Sequence, residues 1–100
     1  IAATLPERLQ GNVLSAEDNM INQQIARELL ESYGLFVVIA DNGQQALDCL
    51  HNNDIELVLM DIQMPVMDGF EATKRIREGL AGEKNKTIPI IALTAHAMSG

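Results

Sequence analysis

One hundred residues at 47% apolar composition suit a single domain with one hydrophobic core and exclude a disordered polar segment. A formal charge of −7, seven Lys and Arg against fourteen Asp and Glu, excludes the basic face that nucleic-acid binding requires, and no apolar run approaches the roughly 20 residues of a membrane span. With Cys49 alone, an internal disulfide is excluded and a reducing, cytoplasmic setting is expected.

The first ten residues, IAATLPERLQ, lack the charged start and long apolar run of a secretory signal. They read as a linker, one end of a segment of a longer chain, so the domain is expected over 11–100. NVLSA (12–16) predicts a short strand. The stretch 19–34 carries Ile21, Ile25, Ala26, Leu29, Leu30 and Tyr33 on one helical stripe, with Gly34 as a C-terminal stop. LFVVIA (35–40) is apolar throughout and reads as a strand buried on both faces. DNG (41–43) turns into a helix over 44–52, with Ala46, Leu47 and Leu50 together and His51 in its last turn. IELVLMD (55–61) is the next strand, and a helix over 70–80 aligns Ala72, Ile76 and Leu80. AGEKNKT (81–87) is a polar connection, and IPIIALT (88–94) is a fourth strand with Pro89 near its start.

Alternating strands and helices with doubly buried strands imply a parallel sheet covered on both faces. With the first strand central, the order becomes 2-1-3-4. The chain then reverses direction between strands 1 and 3, and ligands of such doubly wound α/β folds sit outside the carboxyl ends of the strands at that point. The residues there are Glu17 and Asp18 after strand 1 and Asp61 ending strand 3, with Thr94 and Ala95 at the end of strand 4. Taken singly, each acid is as well explained as a helix cap or turn residue, Asp18 and Asn19 above all. Taken together, the three carboxylates repel one another unless a cation joins them. Mg2+ suits oxygen ligands, keeps several waters and prefers sites that also receive phosphate. Such an acidic pocket, with one carboxylate facing open space, is a phosphoryl-acceptor arrangement.

The stretches EDN (17–19), LVLMDIQMPVMDGFEATKRIR (57–77) and IIALTAHAM (90–98) closely resemble the receiver (response-regulator) domain of two-component signalling, most of all the receivers fused to hybrid sensor histidine kinases. The resemblance runs from about Gly11 to the last residue. It implies a flavodoxin-like sheet, with a fifth strand and a last helix that this chain does not contain. It implies that Asp61 is the phosphoacceptor, that Asp18 binds Mg2+ directly and Glu17 through water, and that the Gln63 backbone carbonyl is a further ligand. By the same resemblance Thr94 is the switch hydroxyl and Ala95 the small residue leaving access to the phosphoryl group. In the loop, Met64 and Pro65 are expected to shape the bend and Gly69 to supply a permissive backbone position, with Met64 and Met67 as packing rather than a soft-metal site.

The implied function is a phosphorelay switch that takes a phosphoryl group from a histidine kinase or histidine phosphotransfer domain. The domain itself is not expected to be an enzyme beyond its own phosphorylation and dephosphorylation, and the parent chain is expected to be a hybrid kinase, cytoplasmic or tethered to a membrane sensor. His96 and His51 are read as helix-end residues rather than phosphosites. Receivers carry a phosphoryl-binding lysine beyond the point corresponding to Gly100, and Lys84 and Lys86 precede strand 4 and cannot replace it. Strand 4 is an unsuitable edge, so the rest of the domain is expected beyond Gly100, or a second copy against the strand 4 side. Two other functions compete: a degenerate receiver serving only as a protein-binding module, and an aspartate-nucleophile phosphatase of the haloacid dehalogenase type. The phosphatase needs a second acid two residues after the nucleophile, where this chain has Gln63.

Overall fold

In the computed structural model, which describes residues 10–93, four strands pair in parallel in the order β2-β1-β3-β4. They are β1 (Asn12–Ala16), β2 (Phe36–Ala40), β3 (Leu57–Asp61) and β4 (Ile90–Leu93). Helices α1 (Met20–Ser32), α2 (Gly43–Asn52) and α3 (Gly69–Arg77) alternate with them, as the sequence pattern requires. Side chains alternate across each strand. Leu14, Ala16, Val58 and Met60 join Ala46, Leu47 and Leu50 of α2 and Ala72 and Ile76 of α3 in one core, which Met64, Met67 and Ile88 close at its margins.

Each helix starts on a side chain that accepts a backbone N–H, which satisfies one of the otherwise unpaired donors of the first turn. Asn19 Oδ1 accepts from Asn22, Asn42 Oδ1 from Gln45 and Asp68 Oδ1 from Glu71, at 3.0, 2.9 and 2.8 Å. The loop 81–87 is less polar in practice than in composition. Ala81 and Asn85 are buried, and the Asn85 amide donates to the carbonyls of Leu50 and Ala81 at 3.1 and 2.8 Å. His51 Nε2 lies 2.9 Å from the Leu80 carbonyl, tying α2 to the end of the α3 segment.

Burial differs from the apolar pattern of the sequence in places. The α1 stripe contains no buried residue: Ile21, Ile25 and Leu29 are 70, 59 and 56% exposed. Amphipathic spacing locates an apolar face, and among the described residues only the Ala26 and Leu30 side of that face meets the sheet closely enough to be half-buried. The strand over 35–40 has buried residues on both faces, since Val37 and Ala40 point to opposite sides of the sheet, and exposure is confined to Phe36 at its start. As β2 it is an edge strand. Leu80, expected in line with Ala72 and Ile76, lies past the end of α3 and is exposed.

Leu14, fully buried in a central strand, should lose about 2–5 kcal/mol of stability as Leu14→Ala, through lost burial and the cavity left behind. Leu29→Ala, on the open side of α1, should lose under about 1 kcal/mol. Urea unfolding of the two variants checks the contrast.

Candidate functional site

Parallel pairing of β1 with β3 sets Ala16 opposite Met60. The next residues along each chain are Glu17 and Asp61, so two carboxyls leave the sheet side by side. Asp18 follows on the exposed turn into α1. One carboxylate oxygen from each of Glu17, Asp18 and Asp61 lies within 4.8 Å of the others. Asn19 takes the capping role at α1, which leaves the Asp18 carboxylate without that duty. Among the described residues, no Lys or Arg pairs with any of the three acids.

Burial pushes the Glu17 carboxyl above its ordinary range, and the charges of Asp61 and Asp18 push the same way. The Asn19 N–H, donated to Glu17 Oε2 at 2.9 Å, offsets part of this. A half-buried carboxylate with two acidic neighbours and no side-chain cation is a site that a hard metal ion relieves. The all-oxygen donor set fits Mg2+ in kind, with room for water ligands on the exposed side.

The loop between β3 and α3 forms the other wall. An open cleft of about 640 Å³ is lined by Asp18, Ile62, Gln63, Met64, Pro65, Asp68 and Phe70. Gln63 is exposed, and its N–H donates to Asp61 Oδ1 at 3.2 Å, which steadies the carboxylate. Met64 and Met67 are buried in the core, as packing residues are. Gly69 differs from expectation. Its φ is not positive, and the left-handed residue of this loop is Val66, at φ 67°. Gly69 is needed for closeness: a Cβ there would lie 2.3 Å from the Asp61 carbonyl oxygen. Its N–H donates to the Ile62 carbonyl at 2.8 Å, closing the base of the loop. Thr94 and Ala95, with His96, lie outside the described residues.

The family model for the response regulator receiver domain matches residues 13–100. The chain belongs to this family. The receiver domain is 52% identical over 93 residues to hybrid signal transduction histidine kinase I of Dictyostelium discoideum, which aligns 88% of this chain with 5% of that protein. It is 42% identical over 87 residues to sensor histidine kinase GacS of Pseudomonas protegens, aligning 87% of this chain with 10% of that protein. It therefore spans a tenth or less of either kinase. Among solved structures, the receiver domain of a sensor histidine kinase from Pseudomonas aeruginosa superposes with a TM-score of 0.80 at 38% identity, covering 92% of this chain and 73% of that one. That structure holds a magnesium ion coordinated in its active site cleft. The flavodoxin-like order 2-1-3-4 read from the sequence is the order of this receiver sheet.

Sequence reading passed over one residue of this receiver site. The Gln23 carboxamide, one turn into α1, donates to the Glu17 carbonyl and to Asp41 Oδ1, both at 2.6 Å, and so ties the ends of β1 and β2 together. Its spacing from Glu17 gave no signal, because the partner at Asp41 is 18 positions away.

The raised Glu17 pKa has a signed consequence. Between the ordinary Glu value and the raised folded value, the folded state holds more protons than the unfolded one, so stability falls as pH rises through that window. In chelator, Glu17→Gln should therefore unfold at a higher temperature than the parent at neutral pH. The difference should shrink as pH falls below the ordinary carboxylate range, and melting curves across pH measure both effects.

Proposed function

We propose that this receiver domain is the phosphoacceptor of a two-component phosphorelay, with Asp61 as the residue that carries the phosphoryl group. The observation that supports this most is the meeting of Glu17, Asp18 and Asp61 at the carboxyl edge of a receiver sheet, where strand order reverses. Mg2+ is the cofactor, which Asp18 and Asp61 would hold directly, with Glu17 acting through water and the Gln63 backbone carbonyl as a further ligand. When bound, the ion offsets negative charge on the transferring group.

The donor is a phosphohistidine of a histidine kinase or a histidine phosphotransfer domain. An oxygen of the Asp61 carboxylate attacks phosphorus in line with the P–N bond. That bond breaks, its electron pair returns to the imidazole nitrogen, and the product is an acyl phosphate on Asp61. The Gln63 N–H bonded to Asp61 Oδ1 holds the nucleophile in one orientation. By likeness to the family, Thr94 is assigned the switch hydroxyl and Ala95 the small residue that admits the phosphoryl group, and loading of Asp61 is expected to change the surface around β4. Attack by water regenerates the carboxylate, and transfer to a phosphotransfer histidine relays the signal onward.

Likeness to receivers within hybrid kinases supports a parent chain of that kind. Likeness to a sensor histidine kinase supports placing the domain on the cytoplasmic side of a sensor; no helix among the described residues is long and apolar enough to cross a membrane. Gln63 projects into solvent at the position where an aspartate-nucleophile phosphatase needs its acid, which weighs against that chemistry.

Incubation with acetyl phosphate and Mg2+ should add one phosphoryl group by intact mass. Chelator should suppress the gain and Asp61→Asn should abolish it. A parent protein that stays unmodified would favour the binding-module reading.

A further inference from the structure

The loop from Ile62 to Asp68 has a shape that its own bonds do not secure. Within it the Met67 N–H reaches the Pro65 carbonyl at 2.6 Å, a three-residue turn centred on Val66. Val66 is β-branched, holds φ at 67° and is 83% exposed, so its side chain gains no burial in return. A β-branched residue in the left-handed region is strained and persists only where surrounding structure imposes it.

The constraint comes from α2, an element that contributes no acid to the site. The Gly43 N–H donates to the Met67 carbonyl at 2.9 Å. A Cβ on Gly43 would lie 2.4 Å from that oxygen and 2.9 Å from both Cβ and Cγ of Met67, so backbone as well as side chain fills the space. Gly43 is buried and its φ is not positive, so close approach rather than backbone freedom requires the glycine. The start of α2 is itself anchored to the acid-bearing strand. Gln45 Oε1 accepts the Asp41 N–H at 2.8 Å, Asp41 Oδ1 accepts from Gln23, and Gln23 also donates to the Glu17 carbonyl.

We propose that Gly43 is a positioning residue for the cation site: by lacking a side chain and donating its N–H, it seats Met67 and fixes the loop that presents the Gln63 carbonyl to Glu17, Asp18 and Asp61. This rests on reading the three acids as a Mg2+ site. The Gln63 carbonyl lies between two pins, Gly69 on Ile62 and Gly43 on Met67, and loss of the second lets the Val66 turn relax and carry the loop away from the carboxylates.

Calorimetric Mg2+ titration of the full protein tests the proposal without reference to phosphorylation. Gly43→Ala should weaken Mg2+ binding about tenfold or more, the scale on which supporting residues act on metal affinity. Gly79→Ala, at φ 91° just beyond the far end of α3, should lower the unfolding temperature and leave Mg2+ affinity unchanged. A folded Gly43→Ala protein with the parent's Mg2+ affinity overturns the role of Gly43 alone, whereas a parent that binds no Mg2+ overturns the metal site and this role with it. Should Gly43→Ala not fold, the parent decides by NMR. The Gly43 amide resonance should shift with Mg2+ at the same half-saturation as that of Gln63, and a Gly43 amide unmoved at saturation rejects the proposal.

Discussion

Register between β1 and β3 is the constraint on which everything else rests. It sets Ala16 beside Met60, and so delivers Glu17 beside Asp61 at the edge of the sheet. That outcome is unfavourable in isolation, since like charges about 4 Å apart repel by about 1 kcal/mol in water and about 4 kcal/mol near a protein surface. The same pairing buries Leu14, Val58 and Met60, each worth about 1.5–3 kcal/mol. Apolar packing therefore outweighs the repulsion and holds the acids together. A slip of one residue would expose the apolar set and separate the carboxyls in the same movement.

Much of this was legible in the sequence because it is written in local patterns. Apolar runs ending in acids marked the strands and their carboxyl ends, and the connections left few topologies. What escaped depended on partners distant in the chain. The spacing of Ile21, Ile25 and Leu29 shows an apolar stripe without showing what meets it. Asn85 sits in a polar stretch, and its burial follows only from the approach of the Leu50 carbonyl. In the loop after Asp61, the glycine suggested the left-handed position, whereas the strain falls on Val66 and Gly69 serves contact with the Asp61 carbonyl. A β-branched residue in that conformation runs against local preference, so no reading of local preference finds it. The competition between Asp18 and Asn19 for the α1 cap was undecidable from composition, and geometry gives the cap to Asn19.

The acids are held by hydrogen-bond donors from neighbouring residues. Asn19 and Gln63 donate backbone N–H groups to Glu17 and Asp61, and the Gln23 amide fixes the strand end from which Glu17 and Asp18 emerge. Hydrogen bonds to a carboxylate favour its charged form, whereas burial at Glu17 disfavours it. The site is thus arranged for charge yet incompletely compensated, a state suited to an ion that arrives from solvent and leaves again.

Charge is also distributed unevenly along the strand direction. The connections at the carboxyl edge, 17–19, 41–42 and 61–68, contain Glu17, Asp18, Asp41, Asp61 and Asp68 and no Lys or Arg. Five of the seven cations lie between Lys74 and Lys86, on α3 as it runs away from that edge and on the loop beyond it, where Lys84 meets Asp54. The cleft end is therefore uniformly negative, whereas the opposite end mixes its cations with Asp54, Glu56, Glu78 and Glu83. A partner with a basic face is turned end-on before it touches, so encounter quickens at low ionic strength and slows as salt screens the field. Orientation in that approach precedes any specific contact.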